Sequence, residues 1–374
     1  MRAVSVSVRN FRSYDTAAAS LGSGLTVIWG ANGSGKTNLL EAVYFGCTGR
    51  SCRTGNDREL VRFGAGTTRV VVDTEDELGS HQLTVGFAPG EAKRMTADGA
   101  EVERLLDAPQ RPLVSVFLPD RLELVKGVPA LRRAHLDQLV AVLWPARAAN
   151  RRAYAQALAQ RNALIGRLRA GGGSRASVDA WDAQLAEAGL ALMADRRAAV
   201  ELTTGAFTET CARLALDGDP AVAYRPRSRA SSPTELVAEL RERLEADIER
   251  GFTEHGPHRD DLALTREGRA LRTYGSQGQQ RLGLLALLMA ERRVIGEQRA
   301  SVPLMLLDDV MSELDGDRRA ALVDLLAETG GQALITTTDL DHVPGVFASG
   351  VARIAVGVGG VDIAADMTAE AVPR

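Results

Sequence analysis

Apolar and small polar residues alternate over residues 3–9 (Ala-Val-Ser-Val-Ser-Val-Arg), the period of a strand with one buried face. Leu25–Trp29 is a compact apolar run, as expected of a strand buried on both faces. Residues 69–73 and 82–87 also read as strands, so the first hundred residues are β-rich. From about Pro129 the pattern changes to Ala, Leu, Arg and Gln with apolar positions at helical spacing. The run Gly171-Gly172-Gly173-Ser174 breaks that helix, and further helices are predicted over 178–216 and, after Ser231-Ser232-Pro233, over 234–250. Beyond Gly256 the β character returns, with strands predicted at 261–265, 304–307 and 333–337 and helices at 278–293 and 316–328. The pattern predicts an α/β domain interrupted by a helical arm that folds back on itself.

Composition narrows the class. With 374 residues and 45% apolar content the chain can bury aliphatic cores in two or three domain-sized units, which excludes disordered and fibrous classes. The longest nearly unbroken apolar run, residues 282–290, is far shorter than the ~20 residues a bilayer span needs. The N-terminus alternates where a signal peptide would carry an apolar block, so a soluble, cytoplasmic protein with no membrane partner is expected. Cys47, Cys52 and Cys211 cannot all pair within one chain and form no C-x-x-C, which argues against a disulfide scaffold or a zinc module. His255 and His258 are three apart but lack the further ligands zinc requires, and read as part of a polar turn around Pro257. Only three lysines occur, Lys36, Lys93 and Lys126, among 45 basic residues.

One of those lysines completes a phosphate-binding pattern. Residues 30–37, Gly30-Ala31-Asn32-Gly33-Ser34-Gly35-Lys36-Thr37, fit G-x-x-x-x-G-K-[ST] in full, with a strand running in and a helix running out. Glycines let backbone N–H groups wrap phosphate oxygens at a helix N-terminus, Lys36 would reach the β- and γ-phosphates, and the Thr37 hydroxyl would bind Mg²⁺. At residues 304–309 an apolar strand ends in Asp308 and Asp309. Such a strand can hold Asp308 beside a magnesium-bound water and Asp309 where it polarises the attacking water. Upstream, Ser276-Gln277-Gly278-Gln279 opens the long apolar helix and offers a hydroxyl, glycine N–H groups and a helix dipole. Downstream, Ser312-Glu313-Leu314-Asp315 precedes another helix.

The order cradle, helical insertion, Ser-Gln-Gly-Gln, Leu-Leu-Asp-Asp, Ser-Glu-Leu-Asp resembles the ABC-type ATPase heads of the SMC and DNA-repair class. Further matches are Val8-Arg9-Asn10-Phe11-Arg12-Ser13-Tyr14, residues 33–42, Thr48-Gly49-Arg50-Ser51-Cys52-Arg53, residues 122–129 with Arg132, Arg133 and Asp137, and Gly256-Pro257-His258-Arg259-Asp260-Asp261-Leu262. These run from residue 5 to about 340 and place the chain near the recombination mediators of that class. The resemblance implies an α/β, SMC-like P-loop ATPase head formed by residues 1–128 and 254–374, with an α-helical arm at 129–253. It implies ATP and Mg²⁺ as ligands. Residues 30–37 would hold the nucleotide, with Ser276, Gly278 and Gln279 as the signature that closes on it. Thr37 and Asp308 would serve the metal, Asp309 and Lys36 catalysis, Asp315 the dimer contact, and Arg12 a phosphate or adenine contact. Two departures stand out. Asp309 occupies a position usually held by glutamate, so slow hydrolysis is expected, and the strand that often ends in a switch histidine here ends Thr336-Thr337-Thr338. No Q-loop glutamine can be placed, and residues 116–120 occupy the region where one would lie.

In the ATPase class this chain resembles, the signature of one head closes on the nucleotide held by another, so the resemblance together with one cradle and one signature per chain implies a two-fold homodimer closed by ATP. The formal net charge of −3 conceals an uneven distribution. Residues 111–169 hold 11 Lys/Arg against 3 Asp/Glu, whereas residues 308–374 hold 4 against 12. A basic helical surface suits phosphate contacts, but the same arginines read equally well as a solvated helix face pairing locally. The resemblance turns the reading to DNA, and with no base-reading motif in the sequence the target it implies is double-stranded or gapped DNA recognised by shape. The resemblance adds RecO and RecR as partners and RecA loading as the outcome. The competing assignments are an ABC transporter's ATPase subunit and a structural SMC-like bridge, which would need far longer coiled-coil arms than about 120 inserted residues provide.

Overall fold

The computed structural model describes residues 1–118 and 122–357, and the backbone of 360–362. The chain forms two compact units, one of residues 1–121, 213–215 and 295–374, the other of 122–212 and 216–294.

In the first unit, strands β1 (Arg2–Phe11) and β2 (Tyr14–Ser20) form a hairpin, followed by β3 (Leu25–Trp29) and helix α1 (Lys36–Thr48). Strands β4 (Thr68–Asp76), β5 (Gly79–Phe87), β6 (Arg94–Ala97), β7 (Ala100–Glu101) and β8 (Val114–Phe117) follow. The second unit contains α2 (Glu123–Lys126), α3 (Pro129–Leu143), α4 (Ala148–Arg169), α5 (Arg175–Arg213) and β9 (Ala221–Arg225). It continues through α6 (Pro233–Glu242), α7 (Leu244–Arg250), β10 (Asp261–Arg266), β11 (Arg269–Ala270), α8 (Leu271–Tyr274) and most of α9 (Gln277–Arg299). The chain then returns to the first unit with β12 (Leu304–Leu307), α10 (Gly316–Thr329), β13 (Ala333–Thr337), β14 (Ala352–Gly357) and β15 (Gly360–Asp362).

Two six-stranded sheets organise the first unit. One has the order β2-β1-β4-β5-β6-β7, the other β15-β14-β3-β13-β12-β8. The pairs from β14 through β3, β13 and β12 to β8 are parallel, while the β15 edge is antiparallel. Helix α1 packs between the sheets. Its Leu39, Leu40, Val43 and Phe45 share one core with Val8, Val70 and Val72 of the antiparallel sheet and with Ile28, Leu306 and Leu334 of the parallel one. At Gly46 a Cβ would lie 2.3 Å from Val72, so the helix can approach the sheet this closely only with glycine there. Parallel strands buried on both faces read as unbroken apolar runs, which is why Leu25–Trp29, Leu304–Leu307 and Ala333–Thr337 were legible.

The helices of the second unit follow the predicted pattern with two more breaks than expected. Between α3 and α4 the chain stops at Trp144-Pro145, where proline lacks the N–H a continuing helix requires. The stretch predicted as one helix over 234–250 is divided at Arg243. The glycine turn is where it was expected, with Gly171 and Gly173 at φ 82° and 90°. At 39 residues α5 is about 58 Å long at 1.5 Å per residue. The compact unit extends past residue 253 to Val294, because β10 pairs in register with β9, Leu262 opposite Tyr224 and Leu264 opposite Val222.

A small apolar cluster of Tyr154, Ala157, Leu185, Ala186, Leu236 and Leu240 holds α4, α5 and α6 together. Beside it lies a buried polar core. Arg161, fully inaccessible, donates to Asp182 at 2.6 Å, to Asp247 at 2.7 Å and to Thr253 at 2.7 Å. Arg196 forks onto Asp137 and donates to the Pro257 carbonyl at 2.7 Å and to Asp260 at 3.2 Å. Arg132 forks onto Asp261, and Arg133 donates to the Asp260 carbonyl. The separate sequence blocks around Arg132-Arg133, Asp137 and Gly256–Leu262 are therefore one construction that fixes the loop before β10.

Candidate nucleotide site

Register in the parallel sheet decides where the candidate residues fall. Trp29 at the end of β3 pairs with Thr337, and Leu307 at the end of β12 pairs with Ile335, so both strands end beside β13. Ligands of open α/β sheets bind outside such carboxyl ends. The loop of residues 30–35 leaves β3 there and turns into α1, with Gly30, Gly33 and Gly35 at φ 155°, 79° and 113°. A Cβ on Gly30 would lie 2.3 Å from the Val356 carbonyl oxygen, and one on Gly35 would lie 2.7 Å from the Tyr14 hydroxyl. The pattern's glycines thus answer both to backbone conformation and to close packing.

Lys36 curls back over the loop and donates to the carbonyls of Gly30 at 2.8 Å and Ala31 at 3.0 Å. Burial lowers its pKa, opposed by the charges of Asp309 and Asp308. The Thr37 hydroxyl donates to Asp308, at 2.9 and 3.0 Å from its two carboxylate oxygens. Asp308 also accepts from the Thr336 hydroxyl at 2.7 Å, and Thr336 Oγ1 in turn accepts the Asp309 N–H at 2.9 Å. Burial pushes the Asp308 carboxyl above the usual range, an effect opposed by the two threonine hydroxyls and reinforced by the neighbouring charge of Asp309. Asp309 has φ 47°, a left-handed conformation unusual for a side chain other than glycine's. Its Oδ1, like Ser34 Oγ, is buried without a hydrogen-bond partner among the described residues. Gly30 to Thr37, Asp308 and Asp309, distant in sequence, are therefore one cluster.

Sequence reasoning named Arg12 but missed the group that holds it. Arg12 forks onto Glu41 of α1 at 2.8 and 2.9 Å and donates to the Glu59 carbonyl. Glu41 is fully buried and also accepts from Ser51 at 2.5 Å and Arg53 at 3.3 Å. Arg53 reaches Asn38, the residue after Thr37, at 3.1 Å. The signal was present as Glu41, a charged residue on the inward face of an apolar helix. Tyr14 was also missed. Its hydroxyl donates to the Gly35 carbonyl at 2.9 Å, and burial raises its pKa to about 12. Lys93, unexplained by sequence, donates to the Gly49 carbonyl at 2.6 Å, pairs with Asp57 at 2.7 Å and lies over the Phe45 ring. It is a cation placed at the C-terminal end of α1.

Ser276, Gly278 and Gln279 lie in the second unit, at the start of α9. The Ser276 N–H donates to Gln279 Oε1 at 2.8 Å and the Gln279 N–H to Ser276 Oγ at 3.2 Å, a reciprocal capping box. Ser276 and Gly278 are exposed, and nothing lies within 4 Å of a Cβ built on Gly278. Asp315 caps α10 by accepting from the Arg318 N–H at 3.0 Å and guanidinium at 2.9 Å. Residues 119–121, in the Q-loop region, lie outside the described residues.

The basic stretch 111–169 is less of a surface than its count suggested. Arg132 and Arg161 are buried on aspartates, Arg147 pairs with Asp195 and Arg151 with Asp137. His258 is not poised for a metal. It accepts from the Tyr154 hydroxyl at 2.7 Å and donates to the Thr253 carbonyl at 3.0 Å, and burial lowers its pKa to about 4. His255 contacts Glu239, and no metal-binding group of three or more His, Cys, Asp or Glu occurs among the described residues. Among those residues no helix is long and apolar enough to cross a membrane.

The two-sheet unit with its strand–loop–helix cradle, acidic strand and helical insertion is an α/β P-loop ATPase head of the ABC type, SMC-like in architecture. The SMC head bound to the C-terminal winged-helix domain of ScpA superposes with TM-score 0.58 at 16% identity, covering 97% of this chain and 96% of that one, a likeness of fold. The profile described as the RecF/RecN/SMC N-terminal domain matches residues 3–346. A DNA replication and repair protein RecF of Myxococcus xanthus (strain DK1622) is 39% identical over 377 residues, covering 98% of each chain. One from Anaeromyxobacter sp. (strain Fw109-5) is 40% identical, covering 91% of this chain and 93% of its own. The structure of the recombination mediator protein RecF with ATP superposes with TM-score 0.82 at 26% identity, covering 96% and 97%. The chain belongs to the RecF family.

Proposed function

We propose that this chain is an ATP-dependent DNA-binding protein of recombinational gap repair and replication restart, acting in the cytoplasm. The observation that carries the reading is the convergence of Lys36, Thr37, Asp308, Thr336 and Asp309 at one end of the parallel sheet. Its RecF relatives are named for replication and repair, and a RecF structure is described with ATP.

The residues fit a magnesium nucleotide. The Thr37 hydroxyl and Asp308 carboxylate, already in contact, are the hard oxygen donors that ion takes. Bound there, the metal would supply charge neutralisation on the phosphates. Gly30 to Thr37 cradle phosphate oxygens with their N–H groups, and Lys36 releases its two loop carbonyls to reach them. Asp309 accepts the proton of the attacking water through the oxygen that has no partner. Its side chain is one methylene shorter than glutamate, which makes turnover weak, with DNA as the stimulus. Arg12, fixed by Glu41, meets phosphate or adenine.

The arm is 129–253 and the functional head 1–128 with 254–374. Ser276, Gly278 and Gln279 of one copy cap the nucleotide held by a second, and Asp315 lies at that contact. ATP thereby closes a homodimer on double-stranded or gapped DNA, hydrolysis reopens it, and RecO and RecR use the clamped state to direct RecA loading. Light scattering with and without ATP-Mg²⁺ tests the reading together with duplex binding in ATP, ADP and no nucleotide at two salt concentrations. An unchanged mass and nucleotide-independent DNA binding overturn it.

A further inference from the structure

A row of arginines crosses the open face of the antiparallel sheet. Arg9 of β1 pairs in register with Arg69 of β4, Arg69 with Gly86 of β5, and Gly86 with Arg94 of β6. Residues in register point to the same face. That face is the solvent face, since the alternate residues Val8, Val70 and Val85 are buried in the core with α1. Arg9 and Arg69 are exposed, and among the described residues neither makes an ion pair. Arg94 is 81% exposed, with only a distant contact to Glu91 at 3.8 Å. Past the end of β1, the Arg62 N–H donates to the Asn10 carbonyl while its guanidinium lies 3.6 Å from Asp15, so it adds no unpaired charge to the row. The next residue, Phe63, is fully exposed.

Folding explains neither the charges nor the glycine. Like charges directly opposite on neighbouring strands destabilise a sheet, and Arg9 faces Arg69. Gly86, one residue from the end of β5, is a poor strand former. Its φ is not in the left-handed region and nothing lies within 4 Å of a Cβ built there, so neither conformation nor packing demands it. A strand glycine often marks a bulge, a bend or a place where a ligand or another backbone comes close, and the register on both sides of β5 is unbroken at Gly86. Two unpaired guanidinium groups on one side of the gap and one on the other are suited to a polyanion lying across the strands.

We propose that this row is a contact surface for the sugar-phosphate backbone of duplex DNA, with Arg9, Arg69 and Arg94 on phosphates and Gly86 leaving room for the strand. The inference deepens the DNA-binding reading and rests on it. It also moves the main phosphate contact from the arm, several of whose arginines are internally paired, to the head.

The test is fluorescence anisotropy of a labelled duplex with the full chain in ATP-Mg²⁺, across a salt series. The double variant Arg9→Gln/Arg69→Gln is expected to lower the slope of log affinity against log salt by about 2, at about 0.9 per phosphate contact, with an equal or higher melting temperature. Gly86→Ile is expected to weaken DNA binding with an equal or higher melting temperature and unchanged ATP affinity. If the wild-type chain binds duplex while both variants keep its affinity and slope, this surface is refuted and the DNA reading survives. An acidic protein partner on this face would give that result. If the wild-type chain binds no duplex, the parent reading fails as well.

Discussion

Replacing Thr336 by valine keeps the side-chain shape and removes two hydrogen bonds from the candidate catalytic cluster. The hydroxyl donates to Asp308 at 2.7 Å and accepts the Asp309 N–H at 2.9 Å, and the residue is fully buried. A hydrogen bond to a charged group contributes about 1.5–3 kcal/mol, and an orphaned buried N–H costs about 1–3 kcal/mol. The second loss matters more for chemistry. Asp309 sits at φ 47°, a conformation costing on the order of 1–2 kcal/mol for a non-glycine residue, and the bond from Thr336 to its N–H helps hold it. Without that bond the aspartate is free to relax, and on the proposed mechanism its carboxylate is then misplaced for the attacking water. A loss of about 2 kcal/mol in transition-state stabilisation is roughly 30-fold in kcat. Nucleotide affinity should stay within about threefold, since the cradle and Thr37 are untouched. The assay pairs phosphate release with binding of a fluorescent ATP analogue, and includes Thr336→Ser, which retains the hydroxyl and should recover most of the turnover. Wild-type turnover in the valine variant, or a serine variant as impaired as valine, would refute the reasoning.

Other substitutions probe the supports of the site and of the second unit. Gly30→Ala forces a Cβ to within 2.3 Å of the Val356 carbonyl at φ 155° and should abolish nucleotide binding by equilibrium dialysis while far-UV circular dichroism shows a folded chain. Glu41→Gln leaves Arg12 and Arg53 without their shared carboxylate, and should cost about 2–3 kcal/mol in urea unfolding and weaken ATP binding. Arg161→Ala strands two buried aspartates and should cost about 3–5 kcal/mol near neutral pH. Burial already raises the Asp182 pKa, and losing Arg161 raises it further. Folding then favours the protonated acid, so the deficit should shrink as pH falls from 7 toward 5, and a pH-independent deficit would count against the account. His258, held neutral with a pKa of about 4, works in the opposite sense. The unfolded chain protonates first below about 6.5, so wild-type stability is lost between about pH 6.5 and 4, and His258→Asn should flatten that part of the pH profile of urea midpoints.

How much was legible in the sequence depended on whether a signal was local. Leu304–Leu307 followed by two aspartates, and Leu25–Trp29 followed by the glycine loop, each carry their strand and their chemistry within a dozen residues, and both were read correctly as elements. Strands β8, β9 and β14 were not predicted, because Val114–Phe117, Ala221–Arg225 and Ala352–Gly357 mix apolar with polar, small or charged residues over too few positions to show either a solid apolar run or a clear alternation. Thr336 was recognised only as standing where another residue type is common. Its partnership with Asp308 and with the Asp309 N–H needs the register of β12 beside β13, which no local pattern encodes. Glu41 looked like part of a helix, and only the return of Arg12 and Arg53 from either side gives its charge a reason.

Charge shows the same limit and leads to a different view of the molecule. Arginine counts along the sequence favoured the arm as the basic surface, yet Arg132, Arg161 and Arg196 each meet aspartates in the interior of the second unit. A guanidinium suits that task because its planar fork satisfies a carboxylate in two places, whereas lysine presents a single point charge. The scarcity of lysine and the abundance of arginine therefore reflect, in part, a polar core built from forked pairs. Net charge over a window cannot separate those arginines from the ones left facing water. Strand register can, and it sets Arg9, Arg69 and Arg94 in one exposed row although each is 25 or more positions from the next.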